Sequence, residues 1–390
     1  MSDNPEEIEL KIDPKITNDI ESMLDGFISV EASDLHVKEG EAPVSRSNGE
    51  LLFNNNVKKF SKKHMYALVN TIFACAGKYS INAIATRTRD FIENGQEEDL
   101  AFLLPMSEYR ARVNLYKTMG KIGIALRKIP DVIPELDSLG IATTQFDSIK
   151  KRLLKQEGLI LVTGQTGSGK STTMAGIINF INKNHKKHII TIESPVEFVH
   201  ENAESIITHR EVGIDDDTSS FNSGVVASLR QDPDIIFIGE IRDIETAEAA
   251  LSASNTGHLV FATLHTNSAS ESVARIIDLF PAEKKEAIRG SLSNALQMVI
   301  SQKLIPTITQ KRVLACELFL AGTSGTRAAI ASPKSDSMIR DKIQSGSSDG
   351  MINMQRYLFN LVTSSDIDRA VALEYANDQV ELESLLKKKV

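Results

Sequence analysis

The sequence predicts an α/β chain: a parallel, helix-covered sheet with an α+β domain in front of it. Three observations carry this. From residue 142 to about residue 320, short apolar runs alternate with helical stretches, the pattern of parallel strands joined by crossover helices. Residues 158–182, GLILVTGQTGSGKSTTMAGIINFIN, pass from apolar strand through a glycine-rich turn into a helix. Finally, 390 residues with 41% apolar content and no long apolar run are the size and composition of a soluble chain of two or three domains.

Taken in order, residues 1–15 are polar and acidic and are expected to be disordered. They lack the basic-then-apolar pattern of a secretory signal, so a cytoplasmic protein is expected. Residues 16–126 hold a helix, strands and an amphipathic helix around KKHMYALVNTIF, an α+β domain. RKIPDVIPELDSLGI, residues 127–141, has two prolines and no clear period, which predicts a linker and hinge. Residues 142–320 form the sheet domain. Within it KKEAIRGSLSNALQMVISQKLI, residues 284–305, reads as one helix packed through Ile288, Leu292, Leu296, Val299 and Ile300. Residues 321–390 are expected to be a helical subdomain, with SGSSDG, residues 345–350, as a flexible loop and Lys387–Lys389 as a solvated basic end. The sequence shows no internal repeat.

Composition excludes some classes of function. Cys75 and Cys316 stand alone, which supplies neither a disulfide framework nor a paired-cysteine zinc site; each is expected to be a small buried hydrophobe. A formal charge of −8 and the absence of Trp give no footprint of a nucleic-acid binder, so no nucleic-acid partner is expected.

Gly164 to Ser171 matches G-x-x-x-x-G-K-[ST], a pattern that arises by accident in a chain of this length only about one or two times in a hundred. Gly164, Gly167 and Gly169 let backbone N–H groups turn inward around a phosphate at a helix N-terminus, where the helix dipole also favours anions. The candidate nucleotide-binding residues are therefore Gly164, Gln165, Thr166, Gly167, Ser168, Gly169, Lys170, Ser171 and Thr172. Lys170 is placed to reach the β/γ-phosphates of ATP and Ser171 to ligate Mg²⁺.

A phosphate-loop ATPase also needs acids from neighbouring strand ends. IIFIGEIRD, residues 235–243, is a core strand that stops at a glycine and then presents Glu240. On its own that position suits a solvated strand end as well as a base; the phosphate loop favours the base. Gly239 stands where many such proteins have Asp, so the metal-ordering acid must come from elsewhere. HIITIESPVEFVH, residues 188–200, ends a strand in Glu193, with Glu197 four residues on and Pro195 preventing a simple helical continuation. HLVFATLH, residues 258–265, is a further strand. His258 reads as structural, whereas His265 sits with Thr263 and Thr266 in a polar cluster at the strand's end.

In order, GQTGSGKST, TIESPVEFVH, DPDIIFIGEIRD and TGHLVFATLHTNSA resemble the nucleotide boxes of the type II/IV secretion ATPases, in particular the type IV pilus retraction (PilT/PilU) branch. ASDLHVKEGEAPVSRSNGEL, residues 32–51, and YRARVNLY, residues 109–116, look like that family's N-terminal domain, and the likeness spans about residues 17–320. It implies a RecA-like P-loop ATPase domain preceded by a PAS-like α+β domain, with Glu240 as the catalytic Glu and His265 sensing the γ-phosphate. It places Glu193 and Glu197 in the acidic box near Mg²⁺, and matches Arg112 and Arg127 to the arginines that the N-terminal domain swings onto the phosphates. Ser194 stands where the acidic box has Asp. GTRAAIASPKSD, residues 325–336, keeps only Arg327 and Ile330 of the retraction branch's helix after the last strand. Extension and type II secretion ATPases usually carry a four-cysteine insertion, which two cysteines cannot build. The resemblance further implies a hexameric ring at the cytoplasmic side of the inner membrane, a pilus platform protein as partner, and a second paralogous motor. Two alternatives remain open: a type IV secretion ATPase of the same superfamily, and a nucleic-acid translocase on a similar core.

Overall fold

The computed structural model describes residues 14–387 apart from residues 31, 48–49, 54–57, 78–79, 96, 106, 108, 130–131, 142, 214–216 and 310. Most of the expected disordered tail, residues 1–13, and residues 388–389 of the basic end lie outside the described residues. Pro14 and Lys15, which the sequence assigned to that tail, open the first helix. The chain divides into two compact units, residues 1–132 with 195–198, and residues 133–194 with 199–390.

In the first unit, α1 (Pro14–Ser29) is followed by β1 (Ala32–Lys38), β2 (Val44–Ser47) and β3 (Glu50–Phe53). Then come α2 (Lys62–Cys75), α3 (Ile81–Asn94), β4 (Glu98–Leu103), β5 (Arg110–Thr118) and β6 (Lys121–Ile129). Among the described residues the strands form one antiparallel sheet in the order β3-β2-β1-β6-β5-β4. Strand β5, RARVNLYKT, buries alternate residues: Ala111, Val113 and Leu115 face a core that includes Met65, Leu68 and Phe73 of α2, while Arg110 and Arg112 face outward. That alternation is what an antiparallel sheet with one covered face requires.

The second unit runs α4 (Thr143–Leu153), β7 (Gly158–Thr163), α5 (Lys170–Asn184), β8 (His188–Glu193), β9 (Ile206–Glu211), α6 (Phe221–Ser228), β10 (Ile235–Ile238) and α7 (Ile244–Ser254). It continues with β11 (Leu259–Leu264), α8 (Ala269–Asp278), α9 (Lys285–Ala295), β12 (Leu296–Pro306) and β13 (Arg312–Leu320). Its sheet order is β13-β12-β7-β11-β10-β8-β9, parallel throughout except for β13 against β12. Strands β7, β10 and β11 are buried at every position, as continuous apolar runs covered on both faces must be. Helices α10 (Ser324–Ala331), α11 (Ser335–Ser345), α12 (Met354–Thr363), α13 (Arg369–Tyr375) and α14 (Gln379–Lys387) complete the unit. They add Ile330, Ile339, Leu358, Ala372 and Leu382 to the same core.

Four expectations need correction. Residues 284–305 are not one helix: α9 ends at Ala295, and Leu296–Pro306 is the strand β12, hydrogen-bonded to β7 on one side and β13 on the other. A buried strand and a buried helix segment both read as apolar runs, and periodicity does not separate them; here the open edge of β7 decides. Arg127–Ile129 do not belong to the linker but close β6, where Arg127 lies opposite both Arg112 and Asp34. Residues 345–350 are no loose loop but a 3₁₀ turn, Ser347–Asp349, entered through a Gly346 N–H to Lys342 O bond and left through Met351 N–H to Gly346 O. Of the cysteines, Cys316 is fully buried but Cys75 only half-buried at the end of α2.

Candidate active site

Four adjacent strands, β7, β11, β10 and β8, deliver the candidate residues to the carboxyl edge of the second unit's sheet, where open α/β sheets bind ligands. The glycine-rich loop follows β7, His265 follows β11, Glu240 follows β10 by one glycine, and Glu193 ends β8.

The loop has the backbone that its glycines promise. Gly164, Gly167 and Gly169 take φ of +151°, +79° and +88°. At Gly164 a Cβ would collide with the Gln302 carbonyl and the Ser168 side chain, so no other residue fits there. The first ladder bond of α5 is Thr173 N–H to Gly169 O at 2.9 Å, so the amides of Lys170, Ser171 and Thr172 precede the ladder and are donors at a helix N-terminus. Lys170 Nζ lies over the loop, donating to Gly164 O at 2.8 Å and Gln165 O at 3.1 Å. Positive-φ glycines, helix-start amides and an ammonium within the loop fit a polyphosphate.

Glu240 is 14% exposed and held between two cations or potential cations. Its Oε1 pairs with Arg242, and its Oε2 lies 3.6 Å from His265 Nε2. Partial burial and then the charge of Lys170 hold the His265 imidazole below its ordinary value, against the pull of Glu240 and with a contribution from Arg242. A neutral ring therefore faces the carboxylate at neutral pH. Gly239, which stands where many such proteins have Asp, lies close against β8. Its N–H donates to Ile192 O at 2.8 Å, and a Cβ there would come within 3.3–3.4 Å of Ile192 O, Glu193 Cα and Phe221, so β10 hugs β8 at this point. Thr263 Oγ1 donates to the Gly239 carbonyl, and Ile241 N–H to Thr263 O at 3.1 Å, which sets the exit direction of the Glu240 segment.

Glu193 is 13% exposed, with His209 Nδ1 4.0 Å from its Oε1. His200 N–H donates to His209 Nε2 at 3.0 Å, which makes that nitrogen the acceptor and leaves the proton on Nδ1 for Thr191 Oγ1 at 2.8 Å. The His200 ring stacks on His209 at 5.9 Å between centroids. Burial, and then the neighbouring His209, push the His200 imidazole down to about 4.

Among the described residues no group of three or more His, Cys, Asp or Glu is arranged to hold a metal. Mg²⁺ needs no such cage: it is commonly held by one or two carboxylates, waters and substrate phosphates. The hydroxyl of Ser171 in the first turn of α5 and the carboxylate of Glu193 are oxygen donors of the kind it takes.

The structure thus brings together the loop, Lys170, Ser171, His265, Glu240 and Glu193. It does not place the remaining candidates in that group. Glu197 lies in residues 195–198, which belong to the first unit, as do Arg112 and Arg127. Arg112 and Arg127 are cross-strand partners; Arg127 Nε donates to Asp34 Oδ1 at 2.7 Å, and Arg112 Nη2 stands 3.7 Å from Asp99 Oδ2. The hydrogen bonds and charge of Arg127, with Ser33, outweigh burial and hold the Asp34 carboxyl below its ordinary value.

Several participants went unread in the sequence. Arg242, two residues after Glu240, pairs with it. His209, Thr191 and His200 back Glu193. Ser301 and Gln302 of β12 reach the loop and the strand beneath it: Ser301 Oγ meets Thr163 Oγ1 at 2.7 Å, and Gln302 Nε2 donates to Ser168 O at 2.7 Å. The available signal was a polar pair, Ser-Gln, inside the apolar run VISQKLI.

A family model described as "Type II/IV secretion system protein" matches residues 9–365. The chain belongs to the type II/IV secretion system protein family. It is a P-loop ATPase of that family, with a PAS-like α+β domain ahead of a RecA-like one. The type IV pilus retractation ATPase PilT of Pseudomonas aeruginosa is 39% identical to it over 345 residues, 88% of this chain and 94% of that protein. A crystal structure of the pilus retraction motor PilT with bound ADP matches with a TM-score of 0.81 at 37% identity, over 94% of this chain and 99% of that one. The ATPase DotB of Legionella pneumophila matches with a TM-score of 0.72 at 28% identity, over 90% and 94%. Among the described residues, no helix is long and apolar enough to cross a membrane.

Proposed function

We propose that this secretion-family ATPase is a motor that powers type IV pilus retraction, and with it twitching motility. The observation that supports this reading best is the likeness to a pilus retraction ATPase along 94% of that protein's length, together with strand ends that carry the phosphate loop, His265, Glu240 and Glu193 on four adjacent strands. In this reading residues 164–172 hold the ATP phosphates, Lys170 facing the β/γ-phosphates. Glu240 accepts the proton of the attacking water, His265 reports the γ-phosphate, and Ser171 and Glu193 hold Mg²⁺. The bound ion would neutralise charge on the phosphate oxygens. Arg112 and Arg127 complete the site when the first unit closes, and Glu197 belongs to the same acidic box. The working form is a homohexameric ring at the cytoplasmic face of the inner membrane, acting on a pilus platform protein and alongside a paralogous motor, with no nucleic-acid partner.

The family itself, described as type II/IV secretion system proteins, keeps a type IV secretion ATPase as the second reading. A deletion strain separates the two: loss of twitching with long or excess pili supports retraction. Normal pili and normal twitching, with a secretion defect instead, would replace it with the second reading. ATP hydrolysis that is strongly stimulated by DNA would return the nucleic-acid translocase.

A further inference from the structure

Gln302 is an unusual residue for its place. It sits in β12 between Ser301 and Lys303, it is 1% exposed, and Met298–Ile300 before it are buried apolar residues. Its Nε2 donates to the Ser168 carbonyl of the phosphate loop at 2.7 Å. Its Oε1 has no partner among the described residues, and neither has the buried Ser168 Oγ. An apolar side chain of the same volume would leave no orphaned amide oxygen, and buried polar atoms without partners are costly. What the carboxamide gains in return is a single bond, and that bond falls on the loop.

The loop is shaped to receive it. A Cβ on Gly169 would press within 3.3 Å of Gln302 Nε2, and one on Gly164 would overlap the Gln302 backbone carbonyl, so both flanking glycines admit the approach of β12. The strand that carries Gln302 is itself pinned. Ser301 lies in register with Thr163, the last residue before the loop, and their hydroxyls meet at 2.7 Å; Ser272 Oγ reaches Thr163 Oγ1 at 3.4 Å and meets Thr266 Oγ1 at 2.7 Å. The Gln302 side chain thus reaches the loop from a rigid base.

We propose that Gln302 is a positioning residue for nucleotide binding, holding the phosphate loop in its anion-binding conformation through the Ser168 carbonyl. In a planar trans peptide the carbonyl and the next N–H point in opposite directions. Fixing Ser168 C=O on β12 therefore turns Gly169 N–H away from β12, to the side on which an anion is met. Without the bond, the 168–169 peptide is free to flip, and a flipped peptide presents a carbonyl oxygen to the phosphates. The inference rests on the reading of residues 164–172 as the nucleotide loop.

Full-length wild type, Gln302→Met and Gln302→Glu are compared by calorimetric titration with ADP between pH 5 and pH 8, with thermal unfolding in the absence of nucleotide as a check on folding. Gln302→Met keeps the volume and loses the donor. It is expected to unfold at nearly the wild-type temperature and to bind ADP about 10- to 100-fold more weakly, the effect of one misdirected hydrogen bond to a charged group. Gln302→Glu has no donor when ionised but regains one when protonated, so its deficit relative to wild type should shrink as the pH falls, while that of Gln302→Met stays constant. Amide exchange at Gly169 without nucleotide should quicken in both variants at pH 8. ADP affinity within about twofold of wild type in Gln302→Met overturns the proposal. So does a Gln302→Glu deficit that does not change with pH, an arm that still decides if the Met variant fails to fold. If wild type itself does not bind ADP, the nucleotide-loop reading fails and takes this inference with it.

Discussion

His200 should make the second unit acid-sensitive. It is 6% exposed, its ring stacks on His209, and burial followed by the His209 neighbour pushes its imidazole down to about 4. In the unfolded chain the same ring titrates near 6.5. The sign follows from linkage: the folded-state value is depressed, so stability is whole above about pH 6.5 and is lost as the pH falls toward 4, because the unfolded chain takes up a proton that the folded one refuses. At 1.36 kcal/mol per pH unit the full loss is about 3 kcal/mol, and at pH 5 it is roughly 2 kcal/mol. Glu317 works in the opposite direction. Burial raises its carboxyl above the ordinary value despite hydrogen bonds from the Ala269 and Met354 amides, so it favours the folded state as the pH falls. The measurement must therefore be a difference between two proteins that share Glu317. Urea unfolding of wild type and His200→Phe at pH 7.5 and pH 5.0 supplies it. The variant should lose about 2 kcal/mol less than wild type over that interval. Equal losses would show that the folded protein accommodates a charged His200, and the reasoning from burial would be wrong.

Three further outcomes are expected. Glu240→Gln should retain ADP and ATP binding while kcat falls by at least about 100-fold, whereas Lys170→Ala should weaken binding itself; equal Kd values for the two variants would contradict this assignment. Arg112→Ala and Arg127→Ala should bind ATP within a few-fold of wild type and lose most turnover, on the order of 10³-fold for a mobile arginine. Turnover at the wild-type rate by residues 133–390 alone would rule out a catalytic part for the first unit. Gly158→Ala should destabilise the chain by roughly 2–4 kcal/mol in urea unfolding, since Gly158 has φ +126° and an added Cβ would meet Ala295 O at 2.9 Å; a change under about 0.5 kcal/mol would show that the contact of β7 with the end of α9 yields.

Groups that act through contiguous sequence could be read directly. The loop from Gly164 to Thr172 is one turn and one helix start, and its chemistry is that of adjacent backbone amides; its glycine and lysine pattern is local, while the hold of Gln302 on Ser168 needs β12. Glu193, Glu240 and His265 were legible as strand ends because fully buried parallel strands announce themselves as short apolar runs with a polar residue after them. Pro130, three residues after Arg127, resembles a break in the sequence, while the pairing with Asp34 and Arg112 that makes Arg127 a strand residue spans 93 residues in one case.

By itself, the sequence determined the class of chemistry and the residues at the ends of the nucleotide-domain strands, because those depend on local conformation and on side-chain types a few positions apart. Only the tertiary structure decided which strand lies beside which. The order β7-β11-β10-β8 sets His265 against Glu240 and Glu193 beyond it, and the open flank of β7 turns Leu296–Pro306 from an amphipathic helix into a strand. That same flank brings Gln302 onto a loop 134 residues earlier. Hydrogen bonding between strands satisfies backbone groups that no local pattern specifies, so a partner supplied from far along the chain outweighs the period of the residues themselves.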